Sequence, residues 1–407
     1  MGRFPGLVWV GALPFLLAAG ACGSDRSVAG DGHAGRPQRA RAQADRTNAT
    51  DRGRGRDDDP AQEDLPPPDA RGCLPGVPTL APGVHRGMSF AHSWEAGGRF
   101  GYGTDAARLS LRELRALGVD WVSLTPFGYQ RSLEDDRVRL PRLRGAETDA
   151  RMVAGIRDAR SQGFQVFYKP HVWVGGGDWV GRIDPGDEAA WDRWWASYRA
   201  FLLHHARIAQ AEGVPLFAVG CELKTTSVRF ADRWRGLVRE VRQIYRGELV
   251  YAANWDEVVD VPWWDAVDHV GIQFYPPVAF SRAESESQKR ARLQDYMGHL
   301  DALHRRTGKP VLFTEVGYRS RMHPEIRPHA WPEHDPDDAP PPSEAAQALA
   351  YRRLFQALEG RDWLSGLYVW KWFSNPESRE EGADGFSPRG KRAAQVLATA
   401  FRDRCQD

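Results

Sequence analysis

Two glutamates in this chain each close an apolar, strand-like run: Glu222 in Phe217-Ala218-Val219-Gly220-Cys221-Glu222-Leu223, and Glu315 in Val311-Leu312-Phe313-Thr314-Glu315-Val316-Gly317-Tyr318. A carboxylate at the end of a buried strand is costly to desolvate, so such a position calls for a compensating role. Two of them, in a chain that alternates strands with helices, fit a carboxyl pair flanking a glycosidic bond, one as acid/base and the other as nucleophile. The plainer alternative is that each simply pairs with a Lys or Arg and does no chemistry.

The elements that must hold such a pair are legible as alternating patterns. Strand-like runs fall at 86–92, 119–125, 164–171, 216–222, 249–254, 269–275, 310–315 and 364–372. Helical periodicity fills 106–117, 149–161, 188–212, 229–245, 283–306, 343–359 and 391–401. The third helix carries Trp191, Trp194, Trp195, Tyr198, Phe201 and Leu202 at helical spacing, and Thr148 is the expected N-cap of the second. The fifth unit is the weakest, with only 262–266 between two strands. Eight strands with seven crossover helices predict an α/β fold, a (β/α)8 TIM barrel. A doubly wound sheet requires a Gly-rich first turn. Gly97-Gly98-Arg99-Phe100-Gly101 has the wrong spacing, and no phosphate-type helix follows Gly175-Gly176-Gly177.

Chemistry in such a barrel collects at the C-terminal strand ends. In order these carry His92, Trp94, Lys169, His171, Trp173, Glu222, Asn254, Trp255, Tyr275, Glu315, Tyr318, Trp370 and Trp372, a polar and aromatic ring. Of these, Trp94, Lys169, His171, Asn254, Tyr275, Tyr318 and Trp370 are the candidate substrate contacts. An indole face matches the apolar face of a pyranose, although rim packing is the plainer role for Trp173, Trp255 and Trp372. Lys169 and His171 either contact substrate or form a structural pair. Asn254 either binds sugar or caps the following turn. In the 322–342 loop, His323, His329, His334 and Asp335 have no tight metal spacing, so neither metal nor cofactor is expected.

Hydrophobic residues make up 42% of the 407, which permits a sizeable core, and a net charge of +1 gives no field for nucleic acid. The start has the form of an export signal: one basic residue, an apolar run over 7–21, then Leu17-Ala18-Ala19-Gly20-Ala21-Cys22. Small residues before a cysteine resemble a bacterial lipobox, with Ala19 where Leu is usual. Residues 1–22 are therefore read as signal peptide. Cys22 is the expected lipid anchor of a cell-envelope lipoprotein, and simple secretion or an uncleaved anchor are the alternatives. Residues 23–72 contain no Phe, Trp or Tyr and are read as a disordered linker. Residues 73–407 form the globular domain, expected to be a monomer. Cys73 and Cys405 bracket it and either form a disulfide or stand as two thiols; Cys221 is expected to be buried and inert.

Together these stretches resemble glycoside hydrolase family 113, the β-mannanase family of the large retaining clan of (β/α)8 glycosidases. The resemblance runs from about Val84 to Phe401. It is carried by Arg86-Gly87-Met88-Ser89-Phe90, Lys169-Pro170-His171-Val172, Val219-Gly220-Cys221-Glu222-Leu223, Tyr251-Ala252-Ala253-Asn254-Trp255-Asp256, Phe274-Tyr275-Pro276, Phe313-Thr314-Glu315-Val316-Gly317-Tyr318 and Phe386-Ser387-Pro388-Arg389-Gly390-Lys391. It implies Glu222 as acid/base and Glu315 as nucleophile. It further implies that Tyr275 hydrogen-bonds the nucleophile, that Trp370 floors the reacting sugar, and that the substrate is a β-linked polysaccharide or oligosaccharide, β-1,4-mannan before others. The chain departs from the wider clan at Cys221, where Asn usually binds the sugar 2-OH. A surface-anchored carbohydrate-binding barrel without turnover is the competing reading.

Overall fold

In the computed structural model, which describes residues 65–141, 145–330 and 340–405, eight parallel strands close into a barrel. They are β1 (His85–Ala91), β2 (Trp121–Leu124), β3 (Gln165–Tyr168), β4 (Leu216–Cys221), β5 (Glu248–Asn254), β6 (His269–Phe274), β7 (Val311–Val316) and β8 (Leu364–Phe373). Neighbours in sequence are neighbours in the barrel, and β1 closes against β8 with His85 opposite Gly366. A β-carbon at Gly366 would sit 2.4 Å from the His85 β-carbon, so glycine is what allows these strands to meet.

The strand bodies are buried on both faces. Leu216, Ala218, Val250, Leu312, Phe167 and Tyr368 form one small cluster, separate from the large layer shared with the helices. The helices are α1 (Asp105–Ala116), α2 (Asp149–Ser161), α3 (Glu188–Ala211), α4 (Ala231–Ile244), α5 (Glu286–Thr307), α6 (Glu344–Leu358) and α7 (Arg392–Phe401). Side chains of Thr104, Asp187 and Ser343 cap α1, α3 and α6, and Ser285 with Gln288 forms a full capping box on α5. Thr148 does occupy the N-cap of α2, but its hydroxyl makes no capping bond. The aromatic stripe of α3 faces inward, with Trp194 stacked on Tyr198 and Trp195 edge-on to Trp234 of α4.

Between β5 and β6 a short turn, Trp264–Ala266, stands where a crossover helix would be. Trp263 stacks on Trp234 at 4.8 Å and donates to the Ser227 carbonyl at 2.9 Å, so indole surface covers this flank of the sheet. The third strand is shorter than the pattern suggested. Its run breaks at Lys169-Pro170, and His171–Val174 pairs instead with Phe127–Gln130 as a separate parallel ribbon. Pro170 has no N–H to continue a ladder.

The leader, Cys22 and most of the linker lie outside the described residues. Leu65 is already buried, ahead of the boundary placed at 73 from composition. Leu74 and Leu80 donate their backbone N–H groups to Thr399 Oγ1 and the Ala400 carbonyl of α7. Cys73 and Cys405 form a disulfide with a Cα–Cα distance of 5.7 Å across a sequence separation of 332. Closing so long a loop restricts the unfolded chain, by about 2–4 kcal/mol in ordinary cases. Cys73→Ser is therefore expected to lower the thermal midpoint by on the order of 5 °C. Reductant should lower the wild-type midpoint equally and leave the variant unchanged, which calorimetry with and without dithiothreitol checks.

Candidate active site

Two irregularities in the ladders set the direction of the two glutamates. Between β4 and β5, Ala218 pairs with Val250 but Gly220 pairs with Tyr251, so Val219 is an extra residue. Between β6 and β7, Ile272 pairs with Phe313 but Gln273 pairs with Glu315, so Thr314 is extra. Each bulge shifts the inside/outside phase of its strand by one residue. Leu312 belongs to the barrel's small inner cluster and Phe313 to the helix-facing layer. Strict alternation would send Glu315 outward with Phe313; the bulge sets it beside Gln273 instead. In β4, the same shift brings Cys221 to Gln273, whose amide donates to the sulfur at 3.4 Å while its oxygen accepts from Thr314 at 3.0 Å. Glu222 then leaves the strand with φ of 54°, a left-handed conformation costly for a residue with a β-carbon.

Glu315 is 6% exposed and is held by two donors. The ammonium of the fully buried Lys169 pairs with Oε1, and the Tyr275 hydroxyl donates to Oε2 at 3.1 Å. Glu222 is 7% exposed, and its Oε2 accepts the indole N–H of Trp179 at 3.0 Å. Burial, and then the negative charge of Glu315, push the Glu222 carboxyl up to about 8; Trp179 and Lys169 oppose them. The result is one carboxyl that keeps its proton at neutral pH beside one whose anionic form is solvated by an ammonium and a phenol. Such a pair can supply an acid and a nucleophile to one bond.

The other sequence candidates divide by what they touch. Trp370 is half-buried at the end of β8, with Lys169 and Lys371 ammonium groups 5.8 and 5.0 Å from its ring. Asn254 is fully buried and pairs across the sheet with Gln273, so Asn254, Gln273 and Glu315 form one row. Its Nδ2 donates to Asp256 at 2.7 Å, and its Oδ1 has no partner among the described residues. Lys169 and His171 do not pair with each other: Lys169 goes to Glu315, while His171 Nδ1 meets the Val172 carbonyl at 3.0 Å. Burial, then the Lys169 charge, lower the His171 imidazole to about 4, so it is neutral beside the pair.

Trp94 is half-buried and tied to acidic groups, its indole to Glu147 and its backbone N–H to Glu380 at 3.1 Å. His92 is a clamp, donating from Nε2 to the Gly145 carbonyl at 2.8 Å and accepting the Tyr102 N–H on Nδ1 at 3.1 Å. Tyr318 is buried edge-on against Tyr351 of α6, and Trp372 is buried under the Arg389 guanidinium. Trp173 and Trp255 pack edge-on against Phe127 and Tyr296. His334 and Asp335 lie outside the described residues. Sequence reasoning missed Trp179 and Gln273. The signal for Gln273 was present, a lone amide in an otherwise apolar stretch of β6; for Trp179 there was only a tryptophan after three glycines.

A family model for Glycoside Hydrolase Family 113 matches residues 88–391. Among solved structures, the chain is similar to a GH113 β-1,4-mannanase at 25% identity and TM-score 0.68, covering 79% of this chain and 99% of the other. It is similar to the GH113 β-mannanase AaManA from Alicyclobacillus acidocaldarius, solved with ManMIm, at 28% identity and TM-score 0.67, covering 78% and 97%. A β-glucuronidase from Ruminococcus gnavus, at 14% identity and TM-score 0.54, covers 78% of this chain and 49% of its own and shares the fold. No curated protein sequence matches the chain.

The charge arrangement is open to direct titration. With carboxyl-labelled glutamate, the resonance absent from Glu222→Gln is expected to titrate near pH 8. In Glu315→Gln the same resonance should titrate lower by about a unit or more, because the neighbouring anion is gone. A wild-type midpoint at the ordinary glutamate value would contradict the arrangement.

Proposed function

The chain belongs to glycoside hydrolase family 113 and is a glycosidase, and on that premise we propose that it is a retaining β-mannanase cleaving β-1,4-linked mannan or manno-oligosaccharides by double displacement. The observation that carries the mechanism is the division of labour between the two carboxyls: Glu315 faces two donors, and Glu222 faces Glu315. Glu315 attacks the anomeric carbon as Glu222 passes its proton to the departing oxygen. Bond formation removes the Glu315 charge, and with it part of what holds the proton on Glu222. Glu222, now an anion with no charged Glu315 to oppose it, takes a proton from the water that releases the sugar. Lys169 and Tyr275 stay on the Glu315 oxygens and bind the carboxylate again as it leaves. Trp370, beside Lys169, offers the ring face on which the reacting sugar rests.

The mannan assignment is supported by the similar GH113 structures described as β-1,4-mannanases. A binding barrel without turnover would have no use for a neutral carboxyl coupled electrostatically to an anionic one. The Cys73–Cys405 disulfide suits an exported protein in an oxidising compartment, in line with the leader.

Glu315→Ala is expected to lose mannan hydrolysis by several orders of magnitude. Azide or formate should restore part of the rate, and the azide product should be the α-mannosyl azide, of inverted configuration. Polarimetry or proton NMR of the product checks this; near-wild-type activity without azide would remove Glu315 from the nucleophile role.

A further inference from the structure

Trp179 lies outside the strands, in the loop after Gly175-Gly176-Gly177, yet it is only 9% exposed and its indole reaches Glu222. Its position is built. The short turn Val180–Arg182 follows it, and a β-carbon on Gly181 would lie 2.4–2.6 Å from Cζ2, Cη2 and Cε2 of the indole. The ring thus packs against backbone that only glycine leaves open. The Gly181 carbonyl in turn accepts the Thr225 hydroxyl at 2.8 Å. Thr225 sits in the helical turn Lys224–Arg229, just beyond Glu222. The loop that carries the indole and the loop that carries the carboxyl are therefore joined both by the reacting side chain and by a hydroxyl-to-carbonyl bond.

An indole N–H only donates. The carboxyl oxygen it meets must offer a lone pair, and in a neutral carboxyl the carbonyl oxygen is the better acceptor. Resting on Glu222 as the acid/base, we propose that Trp179 is a positioning residue: it keeps Oε2 as the acceptor, so that Oε1 is the oxygen that carries the catalytic proton. In the first half-reaction the Oε1–H bond breaks as an O–H bond forms on the leaving sugar. The glycosidic C–O electron pair goes to that oxygen, and a Glu315 lone pair makes the new bond to carbon. In the second, water gives its proton to Oε1 and its oxygen to the anomeric carbon, and the Glu315 ester bond breaks. The indole stays on Oε2 throughout, a fixed donor that strengthens when Glu222 is an anion.

The charged and titratable groups facing Glu222 are Glu315 on β7, Lys169 beyond β3, Tyr275 beyond β6, Glu257 beyond β5, and Cys221 beside it. Glu315 and Glu257 favour the neutral carboxyl, as burial does; Lys169 and the Trp179 N–H favour the anion. Losing the N–H therefore moves the alkaline limb of activity upward.

The test compares Trp179→Phe and Gly181→Ala with Glu222→Ala, using mannohexaose and dinitrophenyl β-mannoside across pH. Trp179→Phe removes the donor; Gly181→Ala keeps the indole but drives it off its seat. Both are expected to lose roughly tenfold or more in kcat/KM on the oligosaccharide, the scale of one hydrogen bond to a charged group. The loss should be smaller on the dinitrophenyl glycoside, whose leaving group needs little protonation, and the alkaline limb should move up. Equal losses on both substrates with an unmoved limb would reduce Trp179 to packing and overturn the proposal. Should Trp179→Phe fail to fold by thermal melt, Gly181→Ala decides alone. If Glu222→Ala itself shows no leaving-group dependence, the acid/base reading fails; if it does and the other two do not, only the Trp179 proposal fails.

Discussion

An ammonium group with no solvent exposure stands at the mouth of this barrel, and the Glu315 carboxylate beside it is what makes it tolerable. Burying either charge alone is prohibitive, and breaking such a pair by removing one partner costs about 3–5 kcal/mol. The pair does not have to stabilise the fold relative to an apolar core to matter. It fixes where a negative charge sits, with the Tyr275 hydroxyl on the second oxygen. Titratable neighbours respond to one or other charge of the pair. Glu222 keeps its proton because burial and Glu315 together disfavour a second anion. His171, close to Lys169, stays neutral for the complementary reason: burial, then a neighbouring cation.

Among the places where the barrel breaks its own regularity, two set the glutamate strands. A closed parallel barrel alternates inner and outer side chains along every strand, and its inner positions lower down are apolar. Glu315 lies on the wrong phase for that alternation, and the extra residue Thr314 corrects it. The bulge at Val219 does the same for Cys221, with Gln273 bridging the two altered strands through Thr314 and Cys221. Where Asn is usual in the wider clan, the chain thus has a sulfur already engaged by an amide. Asn254, in the same cross-strand row, presents a buried amide oxygen without a partner among the described residues.

The sequence was a good guide where periodicity governs. All eight strands and seven helices lie within a few residues of their patterns, because a strand buried on both faces must be apolar and a docked helix must carry a stripe. The two glutamates were legible because charge is rare at the end of such strands. Other features depended on contacts between distant segments. A bulge leaves no mark on composition, so the phase of Glu315 was invisible. The break at Lys169-Pro170 was signalled by proline, but its new partner at Phe127–Gln130 was not. Trp179 sits on no periodic element, and Gly181, which seats it, looks like any loop glycine until the indole is beside it. The strand-end positions of Tyr318 and Trp372 were legible, but not their partners, Tyr351 for Tyr318 and Arg389 over Trp372.

A raised carboxyl is not in itself a mark of catalysis, and this chain contains its own controls. Burial pushes Glu257 up to about 7, as it does Glu147. Glu257 is fully buried and surrounded by Ser227, Tyr251 and the Asn254 N–H, donors that belong to the fold. It braces the end of β5. Glu147 receives the Trp94 indole and so fixes a side chain at the rim. Each also feels a carboxylate, Glu257 that of Asp256 and Glu147 that of Glu380, but neither of those is the Lys169-paired Glu315. Glu222 differs because Glu315, which after burial raises it most, is in the proposed mechanism the group whose charge changes during the substitution at carbon. A buried carboxyl braced by permanent donors keeps one state; a buried carboxyl facing Glu315 changes state when Glu315 does. In the double displacement proposed above, that coupling, rather than the height of any one pKa, is what lets the pair serve as acid and then base.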